Sequence, residues 1–365
     1  AAMVFTGMLK KHLFSSMLFS CLLAAGFAPA RAFDPAGWET SGNYPLLGSP
    51  EAKKGGALRS TWTDFPPTLR ALGPNSNSMA IRDLQGMVYE TLLGLHPQTL
   101  EYIPALADYW KVSPDRRKFY FHINPKARWA DSSPVTADDV VASWEFKVRK
   151  DIKDPYSLMM WGESYEKPVA ESADIVSVKT KKLHWRLLMY FSGTPIYPAK
   201  ELKGLTGDKY LEEYNWKLFM GSGPYELKPE DIKKDHSITL TRRAGYWGGK
   251  ERGNIGLNNF DKLLWLVVRD EELAFEKFKK GELDYFPINK AQRWLEETDF
   301  DKVQKGWIQK RKIYTKSPQG FSGLVFNMRK PPFNDRNVRK AFSYLYNRDK
   351  LIDKLFFNEY GFIDS

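Results

Sequence analysis

Helix and strand signals that alternate unevenly along the chain predict α/β or α+β lobes rather than a closed barrel. Three observations lead there. The chain has 365 residues, more than the roughly 250–300 at which a single core stops growing, so two lobes are expected. Two segments combine helical periodicity with clear start and stop signals. Short runs rich in β-branched and aromatic residues surround them. A composition of 42% hydrophobic and 27% charged residues excludes general disorder and a polytopic membrane protein.

The chain opens with a processing pattern. Lys10 and Lys11 precede the apolar run LFSSMLFSCLLAAGFA, and Ala30-Arg31-Ala32 follows as a small-residue cleavage site. This predicts a secretory signal peptide over residues 1–32, with a mature chain from Phe33. Cys21 is the only cysteine and lies inside the removed segment, so core packing rather than disulfides must hold the fold.

Further on, KFYFHIN (118–124) reads as a strand. In TADDVVASWEFKVRK (136–150), Thr136 and Asp139 form a capping box, and Val140, Val141, Trp144 and Val148 recur at helical spacing. HSITLTRR (236–243) and KLLWLVV (262–268) read as strands. DEELAFEKFKKG (270–281) predicts a helix capped by Asp270 and stopped by Gly281, with Leu273, Ala274 and Phe278 as its apolar stripe. Strands are expected at LDYFPI (283–288) and GLVFNM (323–328). The helix opening in PPFNDRNVRKAFSYLYN has Val338, Ala341, Phe342, Leu345 and Ile352 on one face. A strand and one helix cannot bury that face alone.

The formal charge is +11, and Lys10, Lys11 and Arg31 supply three of it, leaving 11 − 3 = +8 after cleavage. The basic residues are scattered among acidic ones, which fits a solvated surface better than a nucleic-acid footprint. Histidines occur only at 12, 96, 122, 184 and 236. None forms a metal-ligand pair, so neither a metal nor a cofactor is expected. No nucleophile elbow, dinucleotide or phosphate loop is present. The pairs Asp138/Asp139 and Glu271/Glu272 sit at helix starts, where unpaired amides favour carboxylates. A secreted hydrolase using such a pair is the alternative reading, and a basic nucleic-acid-binding protein the third. An aromatic content of 15%, with 12 Trp and 18 Tyr, instead favours a secreted binding protein over an enzyme.

Several segments together resemble the family 5 extracellular solute-binding proteins, the periplasmic oligopeptide-type receptors of ABC importers. They are GMVYETLLGLHPQTLEYIPALADYWKVSPDRRKFYFHINPKARWADSSPVTADDVVASWEF, GSGPYELK with AGYWGG, FKKGELDY, and FNMRKPPFNDRNVRKAFSYLYNRD. They run in family order from about residue 55 to the end, and look most like the microcin C and peptide-uptake branch.

The resemblance implies an α/β, periplasmic binding protein type II-like two-lobed fold with the second lobe mostly missing. Lobe I would be discontinuous, over 33–86 and 199–316, with an inserted subdomain at 87–198. Residues 317–365 would start a truncated lobe II, poorly supported without its missing partners. It further implies a periplasmic, monomeric, non-enzymatic protein that captures peptides for the permease subunits of an inner-membrane ABC transporter and binds no nucleic acid. The positions that match ligand-approaching parts of the family are Asn75 and Ser76 after the first strand, Tyr156 at the cleft edge with Trp161 nearby, Asn289, and Gln319 and Phe321 near the crossing into the second lobe.

Overall fold

The structure is a computed structural model and describes residues 33–317, 320 and 323–361. The expected signal peptide therefore lies outside the described residues, as do Gln319 and Phe321.

In chain order the strands are β1 (Ala57–Trp62), β2 (Leu93–Leu95), β3 (Tyr102–Pro104), β4 (Ala107–Val112), β5 (Lys118–Ile123) and β6 (Val169–Ala170). There follow β7 (Ile175–Lys179), β8 (Tyr225–Glu226), β9 (Ile232–Lys233), β10 (Ser237–Arg242) and β11 (Lys262–Val267). The helices are α1 (Met79–Val88), α2 (Ala137–Lys147), α3 (Pro155–Gly162), α4 (Leu187–Ser192) and α5 (Ala199–Leu202). Then come α6 (Gly207–Glu213), α7 (Glu271–Lys280), α8 (Asp301–Gln304), α9 (Arg336–Leu345) and α10 (Arg348–Lys354).

One sheet has the order β1-β11-β10-β8, with β9 also on β10. Its β1–β11 pair is parallel, from Ala57 opposite Lys262 to Trp62 opposite Val267. The second sheet, β4-β5-β7-β6, is antiparallel throughout. Each sheet has its own core. Trp110, Phe121, Trp129, Tyr165 and Phe191 fill the one beside β4–β7. Leu69, Phe146, Tyr197, Tyr210, Phe219 and Ile238 fill the other.

Helix α2 joins the two. Its capping box forms as the sequence predicts, with the Thr136 amide donating to Asp139 Oδ2 at 2.8 Å. Val140 packs into the first core and Phe146 into the second. Burial on both sides is why Ser143, Phe146 and Lys147 are enclosed while Val141 and Trp144 are only half-buried. A single-stripe reading does not anticipate a sandwiched helix.

The strands expected at 118–124, 236–243 and 262–268 form, as does the capped helix α7, with Gly281 in the left-handed region at φ 87°. Its buried face is shifted, however. Ala274 and Phe275 are buried, Phe278 is half-buried and Leu273 is exposed, because Phe275 and Phe278 pack on Phe286 at ring distances of 5.4 and 5.7 Å.

Two expected strands do not form. LDYFPI lies along the outer edge of β1, where the Arg59 carbonyl accepts from the Asp284 and Tyr285 amides at 2.9 and 3.2 Å. The Arg59 amide, though, donates to the Asp284 carboxylate at 2.9 Å. A side chain thus replaces the next rung, and Pro287 has no N–H to continue a ladder. GLVFNM forms no strand and pairs with none among the described residues. Its Phe326 instead clusters with Phe333 and Phe342 at ring distances of 4.8 and 5.1 Å. Neither α9 nor α10 has a buried residue, and Tyr344 and Leu345 are more than 80% exposed.

Candidate functional site

In open α/β sheets, ligands settle outside the carboxyl ends of parallel strands. Here those ends are Trp62 of β1 and Val267 of β11, side by side in register. Trp62 stacks on Trp265 at 5.1 Å and 10°. Its indole N–H donates to Asp83 Oδ2 at 2.9 Å, tying the strand end to α1.

The loop that leaves β1 carries Asn75 and Ser76. It is pinned by Arg70, which donates to the Pro74 and Leu211 carbonyls at 2.9 and 2.6 Å. At Gly73, φ is +94° and an added Cβ would lie 2.9 Å from the Ile152 carbonyl oxygen, so the position requires glycine. The Gly73 amide donates to Asp154 Oδ2 at 2.9 Å, while Asp154 Oδ1 accepts from the Ser157 amide at 2.9 Å and caps α3. One carboxylate thereby joins the loop holding Asn75 and Ser76 to the helix start holding Tyr156.

Asn75 is exposed and left-handed at φ 63°. Ser76 spends its hydroxyl on the Gly73 carbonyl at 2.8 Å, leaving its oxygen as an acceptor. Tyr156 is 65% exposed. Trp161 belongs elsewhere: it stacks on Tyr165 at 5.5 Å and meets Phe191 edge-on, packed against the first core. Asn289 is exposed at the end of the segment after α7, and its carbonyl accepts from the Tyr360 hydroxyl at 2.9 Å. Sequence reasoning did not single out Tyr285, which is 55% exposed beside Arg59. Its only signal was the aromatic content of LDYFPI.

The start of α7, next to the end of β11, is held by Arg293. That side chain is 1% exposed, donates to Glu271 at 2.6 Å and Glu297 at 3.1 Å, pairs with Glu272, and lies over the Phe275 ring at 4.8 Å. The pair Glu271/Glu272 is thus committed to an arginine rather than to acid–base chemistry. Among the described residues, no group of three or more His, Cys, Asp or Glu could hold a metal ion.

A separate cavity of about 920 Å³ lies between residues 40–44, α1, β3 and residues 246–258. Glu90 forms part of its wall, accepting from the Tyr246 hydroxyl at 2.5 Å and the Trp247 indole at 2.8 Å. Burial pushes the Glu90 carboxyl up to about 7 against the lowering effect of those donors.

The pattern described as bacterial extracellular solute-binding proteins, family 5 Middle, matches residues 101–364. This chain belongs to that family. Family 5 solute-binding proteins are periplasmic and non-enzymatic. Among curated relatives of this family 5 chain, the probable peptide-binding protein YejA of Agrobacterium fabrum is 28% identical over 327 residues, 86% of this chain and 51% of the relative. The peptidoglycan-binding protein YepA of the same organism is 27% identical over 315 residues, 83% of this chain and 50% of the relative.

Among solved structures, the oligopeptide-binding protein AppA from Bacillus subtilis, in complex with a nonapeptide, superposes with a TM-score of 0.66 at 22% identity. That match covers 83% of this chain and 56% of AppA. The family 5 chain therefore has the α/β architecture of two-lobed periplasmic binding proteins, and spans about half the length of the curated relatives it matches.

Proposed function

We propose that this chain supplies one side of a peptide-binding cleft in a periplasmic receptor that hands its cargo to the permease of an ABC importer. The observation that carries the reading is that one carboxylate, Asp154, joins the loop leaving β1, which holds Asn75 and Ser76, to the first turn of α3, which holds Tyr156. Fixed polar groups beside an exposed aromatic suit a ligand whose backbone is constant and whose side chains vary. Family membership and relatives named for peptide or peptidoglycan binding support it.

In this reading Asn75 and Ser76 meet peptide backbone, Tyr156 and Tyr285 offer stacking area, and Asn289 with Gln319 and Phe321 belongs to the approach toward the second lobe. Trp161 supports the first core instead. The lobe is formed by 33–86 and 199–316 with 87–198 inserted, after removal of 1–32 on export. The protein acts as a monomer, catalyses no reaction and binds no nucleic acid. Capture rests on contacts completed only when both sides of the cleft close on the ligand.

Saturation-transfer NMR with pools of di- to nonapeptides tests this on the purified chain. Transfer to peptide signals that is lost in Tyr156→Ala is expected. No transfer from the wild-type chain at millimolar peptide, or full transfer in the Tyr156→Ala variant, overturns it.

A further inference from the structure

Beside the 920 Å³ cavity, and sharing Tyr246, Asn254 and Asn258 with it, lies a smaller pocket of about 60 Å³ with a different electrical character. Three cations line it, Lys54, Arg242 and Arg243, and among the described residues no carboxylate does. The large cavity, by contrast, is bordered by three acids as well as three bases.

Arg243 is the least expected of the three cations. It is 9% exposed, yet forms no ion pair among the described residues. Its Nη1 donates to the Gly223 carbonyl at 2.6 Å and the Gly221 carbonyl at 3.4 Å, which leaves Nε and Nη2 without a hydrogen bond. Glu90 and Glu226 act on it only from a distance, since Glu90 is engaged by Tyr246 and Trp247 and Glu226 pairs with Lys228 at 3.9 Å. A buried guanidinium with carbonyl partners alone is short of a counter-charge.

Arg242 adds a second unused donor. Its Nη2 pairs with Asp261, while its Nε is buried and has no partner. Lys54 is exposed, and among the described residues its ammonium is unpaired. Asn258 offers an amide N–H as well, since its contact to the Asn254 oxygen is a long 3.5 Å.

We infer that this pocket binds a tetrahedral oxyanion, a phosphate group in chemical class. Its oxygens accept from the open Nε–Nη2 edge of Arg243, from Arg242 Nε and from Lys54, and its charge neutralises the buried guanidinium. The volume is several times the roughly 10–15 Å³ that one water needs, enough for one phosphate group and too small for a peptide. The pocket shares none of Asn75, Ser76, Tyr156 or Asn289, so it is separate from the surface assigned to peptide.

The test is isothermal titration of the chain with inorganic phosphate and with glycerol 1-phosphate, at an ionic strength held constant with sodium chloride. Saturable binding of at least one is expected. Binding of inorganic phosphate identifies the free ion as the ligand, whereas binding of glycerol 1-phosphate alone identifies a phosphate group carried on a larger molecule. Lys54→Glu reverses an exposed, unpaired cation, leaves the core untouched, and should weaken binding about tenfold or more. Arg243→Met, which keeps the buried stem, should abolish binding in a variant that circular dichroism shows to be folded. Lys182→Glu, the same change of charge at an exposed residue outside the pocket, should leave affinity unchanged. No saturable binding of either compound, undiminished affinity in Lys54→Glu or in folded Arg243→Met, or an equal loss in Lys182→Glu overturns the inference.

Discussion

Glu90 accepts a 2.5 Å hydrogen bond from the hydroxyl of Tyr246, a residue 156 positions later in the chain. Together with the Trp247 indole, this contact fastens the 246–258 region to the end of α1. Burial is the largest influence on Glu90 and raises its carboxyl to about 7, opposed by Tyr246, Trp247, Ser222 and Arg243.

A carboxyl raised on folding binds its proton more tightly in the folded chain than in the unfolded one. Its stabilising share is complete below the unfolded value of 4.5 and is lost as pH rises through about 7. The thermal midpoint should therefore fall between pH 5 and 7, by up to roughly 3 kcal/mol of stability. Glu90→Gln should flatten that slope, as read by calorimetry across the range.

Lys147 produces the opposite slope in the adjacent window. It is 4% exposed, donates to the Pro195 carbonyl at 2.9 Å and lies over the Tyr197 ring at 4.8 Å. Burial lowers its ammonium from 10.5 to about 7. An amine lowered on folding gives stability that is complete above the unfolded value and lost as pH falls toward 7. Stability should thus rise from pH 7 toward 10. Lys147→Met, which keeps the stem, should remove the alkaline rise, and with Glu90→Gln should erase the minimum near neutrality in a pH series of urea melts.

Arg293→Ala should cost about 3 kcal/mol, because it opens a void under Phe275, strips Glu297 of its cation and leaves Glu271 and Glu272 with the exposed Lys290 alone. Arg293→Lys should recover less than half. An ammonium cannot reach three carboxylates through a planar fork. Urea midpoints of the three proteins at one ionic strength check both statements.

Phe146→Ala should be the costliest of these substitutions, at roughly 3–5 kcal/mol. The ring is 2% exposed and meets Tyr210 at 4.8 Å, Phe219 at 5.5 Å and Tyr197 at 6.2 Å, all edge-on. Because α2 also feeds the first core through Val140, both units should loosen together. A single shifted transition by tryptophan fluorescence and circular dichroism is expected, and two separated transitions would contradict it.

Local chemistry made much of this legible beforehand. Thr136 with Asp139, and Asp270 with Gly281, mark helix ends through bonds to residues three or four positions away, so the sequence alone contains the whole interaction. The strand at 118–124 is similarly declared by its own alternation.

The failures share a different cause. Whether 283–288 became a strand depended on Arg59, more than two hundred positions earlier, whose amide prefers the Asp284 carboxylate. Which face of α7 is buried depended on Phe286. At the candidate site, Asn75, Ser76 and Tyr156 were recognised singly, yet their junction through Asp154 is a three-dimensional fact. The cavity beside Glu90 left no trace in the sequence, because its wall is assembled from separate segments spread between Thr40 and Asn258.

The parallel pairing of β1 with β11 also fixes an order of events. Ala57 waits for Lys262, a separation of 262 − 57 = 205 positions, before its rung can close. The buried residues of the first core, by contrast, all lie between Leu92 and Ile196 and can condense as soon as that stretch is available. During synthesis the first strand is thus an open edge carried beside an already folded neighbour, and the nascent chain is most prone to pair wrongly during that interval.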